Sequence, residues 1–176
     1  VALDKATFRP LVNSSKPLPG TIIRFMEDVL TDAQLGSCYI TSIARTPREQ
    51  ATAMFDNCRR TGVGEQYRTY LDAGDKVIDV FAAADPATLD TAEGRMQVIR
   101  DMTAKILEIG PENVSHHCLS PDSPLDVFDI RQNSILSEVR FTAALKKHPR
   151  FSKLLIENNV YHIEAFKEAP QERLAS

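Results

Sequence analysis

The sequence contains no tryptophan and only three cysteines, Cys38, Cys58 and Cys118. Three cysteines close at most one bridge, which excludes a disulfide framework, and their spacing is no zinc-knuckle pattern. Cys38 and Cys58 flank a strand-to-helix junction and are the one candidate pair. No apolar run approaches the roughly 20 residues that span a bilayer, so no transmembrane segment is expected. Lys and Arg together number 21 against 24 Asp and Glu, for a net charge of -3. That balance gives no electrostatic footing for nucleic acid or an anionic membrane surface. Repeats and low-complexity segments are also missing. The opening "VALDKATFRP" lacks the layout of a signal peptide; it is compatible with a mature or trimmed start, so export stays open.

What remains is the composition of a soluble globular protein, 43% hydrophobic and 26% charged, read as one domain over 1–176 with a sizeable core. Residues 1–20, rich in proline, read as an irregular arm. "TIIRFMEDVLTDAQLG" carries Ile22, Ile23, Met26, Val29 and Leu30 at helical spacing and ends on Gly36, which predicts a glycine-capped helix. "CYITSIART" is β-branched and predicts a strand. "TPRE" follows directly, with Thr46 as cap, Pro47 at the first helical position and Glu49 closing a capping box. The helix after it has Ala51, Met54, Phe55 and Cys58 on one face. Residues 62–90 read as short helical pieces. A long helix is predicted over 91–109, with Met96, Ile99, Met102, Ile106 and Ile109 inward and Gly110-Pro111 stopping it. A short strand at 125–130, a helix in the second half of "QNSILSEVRFTAALKKHP", one or two helical turns in "FSKLLIENN" and a closing strand "VYHIEAF" complete the reading. This order predicts an α+β fold with a small, mostly antiparallel sheet flanked by helices.

Two strands carry ionisable groups on one face. In "LDVFDI", inward Phe128 and Ile130 leave Asp129 facing the other way, and in "VYHIEAF" His162 and Glu164 share a face. A histidine from "SHHC" would complete His, Asp, His, three N/O ligands with a fourth position open, the layout of a catalytic zinc site. Arg45 sits at a strand end just before a capped helix, where rigid elements fix a side chain on both sides. A guanidinium there suits a substrate carboxylate, or equally a structural ion pair. His148, in "KKHPR", reads as a surface residue at a helix end, and Cys118 as a buried thiol.

The segments "ITSIARTPREQ", "VSHHC…LDVFDI" and "VYHIEAF" resemble, in that order, the motifs of the M15-type zinc peptidoglycan peptidases. These are D-Ala-D-Ala carboxypeptidases and L-alanyl-D-glutamate endopeptidases that share a fold with the hedgehog signalling domain. Arg45, Thr46 and Gln50 match the arginine-threonine element with its glutamine. Ser115 and His117 match Ser-x-His, and Asp129 and His162 match the later ligands. The resemblance departs in two places. Asp129 lies twelve positions beyond His117, where the family has a shorter glycine-containing turn; Asp122 and Asp126 are the alternatives, and Asp129 is preferred for its strand face. The family's usual general-base position, three residues before the last histidine, is Asn159, with Glu157 and Glu164 on either side.

The resemblance implies a zinc metallopeptidase of the cell wall, with zinc held by His117, Asp129 and His162. Arg45 would clamp a carboxylate, Ser115 and His116 would orient substrate, and Glu164 or Glu157 would activate water. It implies peptidoglycan peptides as substrate, cleaved as a carboxypeptidase or an endopeptidase. The place of action would be the bacterial periplasm, or the cell wall reached by a secreted or phage-associated protein. A non-catalytic binding module on the same fold is the alternative reading.

Overall fold

The computed structural model describes residues 8–169. In chain order the elements are β1 (Leu11–Ser14), α1 (Gly20–Asp32), β2 (Ser37–Ile43), α2 (Pro47–Thr61), α3 (Val63–Thr69), α4 (Asp72–Ala82), α5 (Ala92–Ile109), α6 (Pro111–Val114), β3 (Leu125–Arg131), a 3-10 turn (Gln132–Ser134), α7 (Glu138–Lys147), β4 (Phe151–Glu157) and β5 (Val160–Phe166). The strands form one open sheet in the order β1-β2-β3-β5-β4. Only β1 and β2 run parallel; the other neighbours are antiparallel. The fold is therefore α+β with a small, mostly antiparallel sheet. Among the described residues no helix is long and apolar enough to cross a membrane.

The chain divides into two compact units. The first comprises the chain up to Ile43 and from Pro124 onward; the second is Ala44–Ser123. In the first unit α1 and α7 cover one sheet face. Phe25, Met26 and Leu30 of α1 and Phe141 and Leu145 of α7 pack with Ile40, Phe128, Ile130, Tyr161 and Ile163 from the strands. Burying each large side chain stabilises the unit by about 1.5–3 kcal/mol. The second unit is helical. Met54 and Phe55 of α2, Val77 and Ile78 of α4 and Met102 and Ile106 of α5 form its core. The predicted capping box is present: Glu49 N–H donates to Thr46 Oγ1 at 3.2 Å, and Thr46 N–H donates to Glu49 Oε2 at 2.8 Å. Such a cap is worth about 1 kcal/mol.

Four expectations are corrected. Residues 1–20 are not all irregular arm. Residues 1–7 lie outside the described residues, 11–14 form edge strand β1, and α1 begins at Gly20. Prolines on both sides keep β1 to four residues, which is why its sequence does not read as a strand. The first helix ends at Asp32, and Gln34, at φ 53°, takes the left-handed position expected of Gly36. "FSKLLIE" is strand β4 and not a helical turn. Asn158 and Asn159 both have positive φ, 48° and 64°, so they make a two-residue hairpin turn that folds β4 onto β5. Met96 is 48% exposed, because a three-residue spacing drifts off a 3.6-residue face; Val98 is buried in its stead.

Candidate metal centre

In the first unit, β3 and β5 pair so that Asp129 stands opposite His162 and Val127 opposite Glu164. Phe128, Ile130, Tyr161 and Ile163 point into the core, so alternation puts Asp129, His162 and Glu164 together on the other sheet face. His162 Nδ1 lies 3.0 Å from Asp129 Oδ1, and Ser42 donates its hydroxyl to Asp129 Oδ2 at 2.9 Å. Glu164 Oε1 is 3.7 Å from His162 Nε2 and 3.4 Å from Lys153 Nζ. His162 thus has a carboxylate beside each ring nitrogen. The hydrogen bond with Asp129 is the largest influence and raises the His162 pKa above its usual value. The charges of Asp129 and Glu164 add to it, while burial and Lys153 oppose it. A metal needs the neutral ring, so metal and proton compete for this residue.

Glu157 ends β4 opposite Val160. The Asn-Asn turn folds it back onto the face of His162 and Glu164, where its side chain is exposed. Asn159 lies in the turn itself, and its carbonyl accepts from the Gln132 N–H at 2.9 Å. Asp126 shares the core face with Phe128. It is 7% exposed and pairs with Arg150 at 3.4 Å.

In the second unit, the short α6 ends at Val114 and a tight turn carries the histidines. Ser115 holds that turn: its carbonyl accepts from Cys118 N–H at 2.9 Å and its hydroxyl accepts from His117 N–H at 3.2 Å. His116 is exposed and His117 half-buried. Arg45 forms a single bridge with this segment. Its N–H donates to the His117 carbonyl at 2.6 Å, and its carbonyl accepts from Leu119 N–H at 3.1 Å. Two residues distant in sequence are therefore joined backbone to backbone. The Arg45 guanidinium donates to Gln50 Oε1 at 3.2 Å, and Gln50 Nε2 donates to the Tyr70 hydroxyl at 3.1 Å.

His117, Asp129 and His162 each offer one ligand atom, and the three atoms lie within 4.8 Å of one another. Two imidazole nitrogens and a carboxylate oxygen are a donor set that could hold a metal ion. Cys118 is fully buried, its thiol pushed up to about 11 mainly by burial, which suits a packed thiol and no nucleophile. Cys38 and Cys58 are free and do not pair; one packs in the first unit's core and the other in the second's.

Sequence reasoning missed Ser42, Lys153 and Tyr70. Ser42 and Lys153 reach their partners through strand register, and Lys153 was hidden by the helical reading of its segment. Tyr70 carries no motif. No protein-family model matches the chain, and no match is found among curated proteins or solved structures.

Proposed function

We propose that this chain is a zinc-dependent hydrolase that cleaves peptide bonds in bacterial peptidoglycan, acting as a carboxypeptidase or endopeptidase at the cell wall. The observation that carries the reading is the convergence of His117, Asp129 and His162 from three separate stretches of sequence to within 4.8 Å. The donor set fits zinc: two nitrogens, one oxygen and no thiolate, with fewer than four protein ligands. Zinc bound there would polarise a carbonyl and bring the pKa of water towards neutrality.

The chain's own residues supply the rest. Glu164 or Glu157 accepts the proton of the attacking water, a task for a carboxylate and not for the amide of Asn159. Glu164 has the closer geometry, 3.7 Å from the His162 ring, although the neighbouring Lys153 holds it as well. The accepted proton then passes to the leaving amine. Arg45 takes a substrate carboxylate through the planar fork of its guanidinium. Ser115 shapes the histidine turn, and exposed His116 stands beside it to meet substrate. The order of motifs and their resemblance to the M15-type peptidases support the substrate class.

A second reading, a cell-wall or protein-binding module, is favoured by Asn159 at the family's usual base position. Elemental analysis and turnover of purified peptidoglycan separate the two. The hydrolase reading expects one zinc per chain, loss of zinc in His162→Ala and release of peptide fragments. Zinc without cleavage favours the module; a native chain that takes up no zinc removes the proposed metal centre.

A further inference from the structure

The Arg45–Gln50–Tyr70 chain has a direction that hydrogen-bond chemistry fixes. A guanidinium has donors and no acceptor, so the Gln50 atom 3.2 Å from Arg45 is the amide oxygen. The amide nitrogen on the other side must then donate, and the Tyr70 oxygen, 3.1 Å away, must accept. Because its oxygen accepts from Gln50, the Tyr70 hydroxyl hydrogen is directed elsewhere. Gln50 is 1% exposed and cannot turn to water, whereas Arg45 is exposed and Tyr70 half-buried. The buried amide therefore works as a rigid spacer between two groups that both present hydrogens.

The backbone around Tyr70 is built to hold the ring. Its N–H caps α3 by donating to the Gln66 carbonyl at 3.0 Å. Gly74, one turn into α4, leaves the space the ring needs: a Cβ there would lie 2.6 Å from Tyr70 Cβ. Burial, partly offset by Gln50 and by the Arg45 charge, raises the Tyr70 pKa, so the hydroxyl keeps its proton at neutral pH. Arg45 in turn is held by its backbone bonds to the His117 and Leu119 peptides.

We infer that Tyr70 is a second hydrogen-bond donor for a carboxylate taken up at Arg45, the two donors being set at a fixed separation by the buried Gln50 side chain. The ligand class is a carboxylate-ended peptide or acylated amino acid. The inference rests on the proposed Arg45 clamp and adds a residue to it. It needs neither the metal nor turnover, because all three residues belong to the second unit.

The test uses the full metal-free chain titrated with N-acetylalanine and with N-acetylalaninamide, followed by amide NMR. The native protein should bind the acid in preference to the amide, with shifts around residues 45, 50 and 70. Tyr70→Phe should weaken acid binding by about tenfold or more, the scale of a hydrogen bond to a charged group, and leave the weak amide binding unchanged. The Arg45 side-chain Nε–H resonance should stay in place, separating loss of a donor from loss of Arg45's position. If Tyr70→Phe fails to fold, Gly74→Ala displaces the ring with its hydroxyl intact and should weaken the same selectivity. Native acid affinity in the folded Tyr70 variant overturns the inference. Native affinity in Arg45→Ala overturns the clamp itself, so the two failures are distinct.

Discussion

Arg150 is a side chain whose loss should destabilise the first unit strongly. It reaches three elements, β5, α1 and β3: its guanidinium bonds the Phe166 carbonyl, the Thr21 carbonyl at 3.0 Å and Asp126 Oδ2 at 3.4 Å, and it lies 5.4 Å from the Phe25 ring centroid. Its side chain is 12% exposed and that of Asp126 is 7%. Arg150→Met keeps the apolar stem but leaves a carboxylate in the core face and removes one donor from each of two carbonyls. Breaking a buried pair in this way costs about 3–5 kcal/mol. The destabilisation should therefore be about 3–5 kcal/mol at pH 7. Urea unfolding of both proteins at pH 7 measures it, provided the m-value is unchanged. Adding Asp126→Asn removes the stranded charge and should recover about 2 kcal/mol at pH 7. A loss under about 1 kcal/mol, or no recovery on adding Asp126→Asn, would refute the view that Asp126 depends on Arg150.

Glutamine at the true general base should leave zinc in place and cut peptidoglycan turnover by roughly a hundredfold or more; testing Glu164→Gln and Glu157→Gln side by side identifies it, and native rates in both would exclude both carboxylates. His148 should make the first unit lose stability in acid. Burial, with help from Arg150 and against the pull of Asp28, lowers its pKa below 6.5. Its Nδ1 accepts from the Arg150 N–H at 3.1 Å, and its ring meets Phe25 at 4.5 Å. A depressed folded value means the full contribution is present above about pH 6.5 and is lost as pH falls through the folded pKa, with a slope of at most about 1.4 kcal/mol per pH unit. His148→Gln should flatten that part of a urea-derived stability profile; an unchanged slope would assign it to other groups.

The sequence carried those parts of the fold whose information is local. The Thr46–Glu49 capping box, the stop at Gly110-Pro111 and the alternation of "VYHIEAF" each follow from neighbours a few residues apart, and each is present. β4 failed because "KLLIE" has no clean period of two. Leu154 faces the core while Leu155 and Ile156 stay exposed at the sheet edge, so only the Asn-Asn turn and the partner strand make it a strand. At the candidate site, faces could be read but not pairings. Alternation put Asp129, His162 and Glu164 on one side of the sheet. That Asp129 meets His162, Ser42 meets Asp129 and Lys153 meets Glu164 depends on register, set by contacts far apart in the chain. His148 was read as a surface residue, and its ring is instead packed on Phe25; nothing local announces that aromatic contact.

The interruption of the first unit by the second has a kinetic consequence. β2 and β3 are sheet neighbours, yet about 80 residues of the second unit separate them in the chain. During synthesis, β2 emerges beside β1 and α1 long before β3, and its β3-facing edge waits unpaired. The intervening segment is continuous and helical, so its own contacts are nearer in sequence and able to form first. Joining β2 to β3 across an unstructured stretch of that length carries a loop-closure penalty that grows with the logarithm of its length. Collapse of the helices shortens the effective loop before the strands meet. A lesion in the core of α2 or α5 should therefore slow refolding of a sheet it does not belong to, by lengthening the tether that β2 and β3 must close.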